Sequence, residues 1–388
     1  MRVTQSMLTN SNLSYISKNY ERLGSIQDQL NTGKKITRPS DDPVIAMKGI
    51  RYRSQLTEVK QFYRNLTEGF TWLENTDSAL GETTQVLERV RELVVQSSND
   101  TYDSSARGNI AKEIEQLQKH LASVANTKVG ENYIFNGTDT GSASVKEASL
   151  FAEYNTFKAD ITASAIDPLT NQPIDPENYV VNYQGHTFKY DKDNSTANNL
   201  LYKSTAGPII TIDIASGDIT HKYTNPSNLT TEERLNGDNL AIANKNAVST
   251  NTQDFEVEVM KGVKIAVNVR PQEAFSIDLF SGLESIKKML VNPDTKGSEI
   301  TKALDSLDGM FNGVVSARAE LGARENRAEL VENRLREQQI TAEKTVSDNE
   351  DIDFEQAIID LTTQEAIHRA SLAAGARIIQ PTLMDFLR

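Results

Sequence analysis

The side chains of this chain best suited to chemistry are four histidines and two groups of carboxylates. Imidazoles bind a metal or move a proton when two of them share a helix face, with a carboxylate between them. His120, His186, His221 and His368 have no such spacing. His120 and His368 fall in helical patterns, His186 and His221 in strand patterns, and each reads as a surface or packing residue. Asp41-Asp42 and the run Asp348, Glu350, Asp351, Asp353 have the carboxylates for calcium but not the ligand spacing of a calcium loop. Ser40, Asp41 and Asp42 stand just before Pro43, where such side chains cap a helix start. No glycine-rich phosphate loop follows a strand, and there is no Gly-x-Ser-x-Gly. Cysteine is absent, which removes thiol catalysis, disulfides and cysteine metal sites together. The expectation is a protein with no catalytic residues, no metal site and no cofactor.

The elements around these groups are helices. The last stretch carries Phe354, Ile358, Leu361, Leu372, Gly375 and Ile379 at steps of three, four and eleven, which keep to one helix face. That is one thin seam of a helix wanting a helical partner. The start of the chain carries the matching half, with Leu13, Ile16, Tyr20, Leu23, Gln27 and Leu30. Residues 1–40 hold six basic against two acidic side chains, and residues 347–388 hold three basic against eight acidic. Opposite charge predicts that the two arms pair antiparallel, with Lys34, Lys35 and Arg38 near Asp348, Asp351 and Asp353. Each arm buries little by itself, so ordering on association is expected.

Between the arms, Leu56 to Val94 steps by three and four throughout, with only Asp77, Thr84 and Arg91 off the pattern. A helix over 44–96 would span about 80 Å at 1.5 Å per residue and would need a partner along its length. The partner is a second rod with Ile300, Leu304, Leu307, Phe311, Val314, Leu321, Ala328, Leu335, Ala342 and Val346. A shorter helix runs through Ile110, Ile114, Leu117, Leu121 and Val124. From Thr138 the helical period gives way to alternation. Hairpins are predicted at Gln184-Gly185, Ser216-Gly217-Asp218 and Lys261-Gly262. The predicted fold is mainly α: an antiparallel coiled-coil-like rod built from both end regions, with an inserted β-rich domain. Its parts are terminal arms at 1–42 and 347–388, a helical rod at 43–140 and 277–346, and an outward-facing β-rich insert at 141–276.

Bulk properties narrow the partners. A net charge of −13 argues against nucleic acid. No apolar run approaches membrane-spanning length, and the polar start lacks the apolar core of a signal peptide.

Three motifs carry a resemblance. Leu30-Asn31-Thr32-Gly33-Lys34-Lys35-Ile36-Thr37-Arg38-Pro39-Ser40-Asp41-Asp42-Pro43, Leu321-Gly322-Ala323-Arg324-Glu325-Asn326-Arg327, and the acidic-then-helical end resemble the flagellin superfamily over roughly 1–140 and 277–388. Pro39-Ser40-Asp41-Asp42-Pro43 is similar to the branch that joins hook to filament. So is the run from Ala125-Asn126-Thr127 to Tyr133-Ile134-Phe135-Asn136-Gly137. A long insert and the terminal Arg388 are closer to filament flagellin, which stays open as the alternative. A secreted adhesin or receptor ligand on the same rod is a third reading.

The resemblance implies an extracellular flagellar building block without a cleaved signal peptide. It would polymerise through an assembly seam of Leu13, Ile16, Tyr20, Leu23, Leu30, Phe354, Ile358, Leu361, Leu372 and Ile379. Implied partners are other copies, a second hook-associated protein, flagellin and an export chaperone. The segment Leu87–Gln96 also resembles the flagellin stretch recognised by an innate immune receptor, which would make Arg89, Glu92 and Leu93 contacts. The competing reading is a rod helix with Leu87 and Val94 inward.

Overall fold

The computed structural model describes residues 5–99, 102–224 and 230–379, with side chains from 7 to 377. Helix α1 spans Gln5–Thr32, α2 Pro43–Ser97 and α3 Ser104–Ala125. Next come β1 (Lys128–Val129), β2 (Asn132–Tyr133), β3 (Phe151–Ala152), helix α4 (Tyr154–Thr162), β4 (Ile166–Asp167) and β5 (Gln172–Pro173). Then follow β6 (Tyr179–Tyr183), β7 (His186–Tyr190), β8 (Asn199–Ser204), β9 (Ile209–Asp213), β10 (Ile219–Thr224) and β11 (Thr230–Leu235). Strands β12 (Ala241–Asn244), β13 (Glu256–Met260) and β14 (Val263–Ala266) complete the β-rich region. Helices α5 (Pro271–Ala274), α6 (Ile277–Val291), α7 (Gly297–Glu350) and α8 (Phe354–Ile379) bring the chain back. The fold is mainly α, with long helices from both ends and an antiparallel β-rich insertion, as the periodicities predict.

The chain divides into two compact units. One is Asn65–Val331. Here Leu66, Leu73, Leu80, Leu87 and Val94 of α2 are buried at every seventh residue, as are Ile300, Leu307, Val314, Leu321 and Ala328 of α7. A period of seven is what keeps one face of each helix turned to its partner. Two of the off-pattern positions in α2 are polar for a reason. Asp77 accepts from Arg318 Nε and Nη2 at 2.8 and 2.9 Å, and Arg91 Nε donates to Asp308 at 2.7 Å. A second buried row on α2, Trp72, Ala79, Val86 and Leu93, shows that the helix is covered on more than one face. Trp72 packs against Phe255 with ring centroids 4.8 Å apart, and Asn65 Nδ2 donates to the Glu258 carbonyl. The β13–β14 hairpin therefore lies on α2.

An eight-stranded antiparallel sheet, in the order β11-β10-β9-β8-β7-β6-β12-β3, makes the body of the insertion. Its core holds Val181, Phe188, Leu200, Tyr202, Ile210 and Ile212, closed by Tyr154 and Phe157 of α4. The β6–β7 turn puts Gln184 at φ 51° and Gly185 at φ 79°, the pair of left-handed residues a two-residue hairpin needs. Helix α6 packs on α3 and on β6 and β12 together. Its two-sided contact explains a nearly continuous buried run from Leu279 to Ile286. The insertion leaves and rejoins the helical part at one point. Val145 pairs antiparallel with Val248, flanked by Lys146 N–H to Ala247 O and Ser249 N–H to Ser144 O, both 2.8 Å.

Candidate assembly surface

The second unit is Met1–Arg64 with Glu332–Arg388, and it contains the arms. Both chain directions break from helix at the same level, between α1 and α2 and between α7 and α8. There they are stitched by a short antiparallel bridge. Lys35 N–H donates to Glu350 O at 2.7 Å, and Ile352 N–H to Gly33 O at 3.0 Å. Lys34 Nζ reaches Asp351 at 2.7 Å and Glu350 at 3.6 Å, and Lys35 Nζ donates to the Asp348 carbonyl at 2.5 Å. The hydrogen bond to Asp351 raises the Lys34 ammonium above its ordinary pKa and lowers the Asp351 carboxyl. The charge complementarity of the arms thus meets here, through Lys34 and Lys35. Arg38 and Asp353 are not joined to each other. The Arg38 N–H donates to Asp41 Oδ2, and Asp353 Oδ1 accepts from the N–H groups of Glu355 and Gln356 at the start of α8. Asp42 Oδ1 caps α2 through Val44 and Ile45 N–H. Both aspartates next to Pro43 are turn and capping groups.

Glu350 is the pivot of this crossing, and sequence pattern alone did not single it out. Its carboxylate is buried, with Arg53 Nε 2.9 Å away. Gly49 of α2 makes the room: a Cβ there would stand 2.5 Å from Glu350 Oε1. The signal in the sequence is a glycine one turn before an arginine on an otherwise good helix.

Beyond the crossing, α1 and α8 run antiparallel. Asn19 Nδ2 donates to Ser371 Oγ at 3.0 Å, the Tyr20 and His368 rings lie 5.9 Å apart, and Ile16 Cδ1 lies over Gly375. The face of α8 turned to α1 runs through buried Ala357, half-buried Leu361, Gln364, His368 and Ser371, and buried Gly375. On α1 it runs through Asn12, Ile16, Asn19, Leu23, Ile26 and Leu30, all half-buried. Of the residues expected at the assembly seam, Ile16, Leu23, Leu30 and Leu361 are half-buried on these faces. Leu13 (52% exposed), Tyr20 (67%), Phe354 (53%), Ile358 (53%) and Leu372 (48%) remain largely open. Ile379 ends α8 and its side chain lies outside the described residues. Val44, Met47 and Ile50 add a further exposed apolar row on the first turns of α2.

In the other unit, the Arg89 guanidinium is held by Glu113 of α3 at 2.8 and 3.0 Å and by Glu92 at 3.1 Å. Leu93 is buried, so of the receptor-like trio only Arg89 and Glu92 face solvent. Among the histidines, His120 meets Glu82 at 2.8 Å and His221 is buried among the Tyr183, Phe188 and Tyr223 rings. His186 is exposed on β7. Among the described residues no helix is long and apolar enough to cross a membrane.

Two paired arms with an open apolar face, on helices with a seven-residue period and a β insertion, define a helical building block. Comparison with known proteins agrees. The model of the bacterial flagellin N-terminal helical region matches residues 3–140, and that of the C-terminal helical region matches 304–387. The chain belongs to the flagellin superfamily, whose members are structural proteins of the bacterial flagellum. A flagellin of Clostridium tyrobutyricum is 23% identical over 404 residues, covering 98% of this chain and 100% of that one. Hook-associated protein 3 of Salmonella typhimurium is 26% identical over 150 residues, covering 38% of this chain and 47% of that protein. A solved flagellar hook-associated protein structure from Vibrio parahaemolyticus shares the fold, with a TM-score of 0.51 at 16% identity, over 80% of this chain and 100% of that one.

Proposed function

We propose that this protein is a non-enzymatic structural adaptor of the bacterial flagellum, placed at the junction of hook and filament. The observation that carries the reading is the open apolar face of the paired arms, on a chain of this family. Burying each such leucine or isoleucine contributes roughly 1.5–3 kcal/mol, so neighbouring copies that cover the face gain enough to order and hold the arms. The likeness to hook-associated protein 3 supports the junction over other flagellar positions. Its partners would be further copies, the other hook-associated protein on the hook side and flagellin on the filament side. A cytoplasmic chaperone would shield the C-terminal arm before export through the flagellar secretion route. In this reading residues 1–42 and 347–388 form the assembly core, 43–140 and 277–346 the rod, and 141–276 the outward domain. Arg89, Glu92 and Leu93 serve the rod, and receptor contact there would be incidental.

Filament flagellin is the second reading, favoured by the alignment along the whole Clostridium flagellin. The two are separated by adding pure protein to isolated hooks capped with the other hook-associated protein. A junction adaptor binds in a fixed short zone and stops, and flagellin then extends from it. Growth of long filaments from this protein alone would make it the filament subunit. Failure to bind hooks at all would overturn both.

A further inference from the structure

Where the two chain directions cross, a small groove opens in the arm-containing unit. It is lined by Ile36, Arg38 and Pro39 of the connector and by Ile45, Ile50 and Arg53 of α2. Glu350 lies at its side, already paired with Lys34 and Arg53. The cavity measures about 230 Å³, below the ~300–1,000 Å³ of small-molecule pockets, so side chains fit it better than a cofactor. Its rim is apolar and basic. Ile50 is 63% exposed at its edge. Arg38 is exposed and enters no salt bridge among the described residues, while Arg53 is spent on Glu350.

The complementary surface is on the same chain. Ile358 and Ile359 of α8 are 53% and 57% exposed, and Glu355 shares their face at the helical spacing of three and four. Phe354 adds an exposed ring one residue away, and Asp353 and Asp360 extend the negative charge. Glu355 is exposed and enters no salt bridge among the described residues. The face turned to α1 is the other one, through Ala357, Leu361 and Gln364, so this one is open to a second molecule.

We propose that the groove around Arg38 takes the Glu355–Ile358–Ile359 face of α8 from a second copy of this chain. The contact is heterologous: one patch of each copy meets a different patch of the next. Such contacts build rings or helical assemblies rather than closed pairs. The proposal rests on the self-assembly reading and names the surfaces that carry it.

Charge reversal tests it. Arg38→Glu and Glu355→Arg should each lower binding of protein to hooks by tenfold or more, with thermal melts unchanged. Mixing the two variants should restore binding, because each then offers the other an opposite charge. A contact within one chain would be rescued by both changes in the same molecule but not by mixing. Equal binding of wild type and both single variants would overturn the proposal, as would failure of the mixture. A second readout needs no hooks. The chain has no cysteine, so Arg38→Cys mixed with Glu355→Cys in concentrated protein should form disulfide-linked dimers more than tenfold above either alone. Absence of that excess would overturn the contact, whereas crosslinking in a protein that ignores hooks would retain it and overturn only the junction.

Discussion

Leu80 and Leu372 are both leucines on long helices, and their fates should differ. Leu80 is 0% exposed in the middle of the seven-residue seam of α2. Truncating it to alanine removes buried methyl groups and leaves a cavity, at about 2–5 kcal/mol. For a cooperative unit of this size, one kcal/mol moves the midpoint by ~2–4 °C, so Leu80→Ala should lower the melting transition by about 10 °C. Leu372 is 48% exposed on α8. Leu372→Asp therefore removes little from the isolated chain but places a charge on a surface that association must dry, at several kcal/mol per buried contact. The assay is a calorimetric melt of each variant beside a count of hooks that acquire the protein. Leu80→Ala should melt early and, below its transition, still bind hooks. Leu372→Asp should melt as wild type and fail to bind. If Leu372→Asp melts as early as Leu80→Ala, the arms are part of the cooperative core. If it binds hooks normally, that face is not an assembly surface.

Asp254 is held below its ordinary pKa by the Arg270 guanidinium, whose Nε and Nη2 donate at 2.8 and 2.7 Å. A depressed carboxylate stabilises the fold above the unfolded value near 3.8 and loses that contribution as pH falls through its folded value. Melts between pH 5 and about 2 should show this slope, and Asp254→Asn should flatten it. Burial lowers the pKa of His221 from 6.5, so the unfolded chain takes up the proton first. Stability should fall as pH drops below that value, and His221→Phe should weaken the effect when denaturant midpoints at pH 7.5 and 5.5 are compared. Gly137 sits at φ 57°, and a Cβ there would overlap the Gln253 carbonyl oxygen. Gly137→Ala should cost at least 1–3 kcal/mol by denaturant unfolding, whereas Gly313→Ala, in open space inside α7, should gain up to about 1 kcal/mol.

The rods were the most legible part of the sequence because Leu66, Leu73, Leu80 and Leu87 repeat with nothing to confuse the period. The hairpins were legible because their turns need left-handed residues, as at Gln184-Gly185. The arms were harder. The predicted stripe includes Leu361 and Gly375, which do face α1, but also Phe354, Ile358 and Leu372, which do not, and it omits Ala357, Gln364 and Ser371, which complete that face. Small and polar side chains let α1 and α8 approach, and no hydrophobic reading ranks them. Likewise nothing in Glu350 alone announces that Gly49 and Arg53 will hold it, since that contact joins residues 301 and 297 positions apart and depends on the crossing itself. The placement of the β13–β14 hairpin on α2 rather than in the large sheet is of the same kind.

The bond between Val145 and Val248 has a consequence for how such a chain can change over generations. The hundred or so residues between them form a detour whose two ends are already side by side. Lengthening or replacing a detour of this kind adds loop entropy only logarithmically, about 0.6 kcal/mol per doubling. Selection could therefore rewrite the residues of the detour while the heptads of α2 and α7 stay as they are. That freedom is bounded by α6, whose face against β6 and β12 any replacement must also cover, and by α7, where Ala303 meets the turn at Gly185.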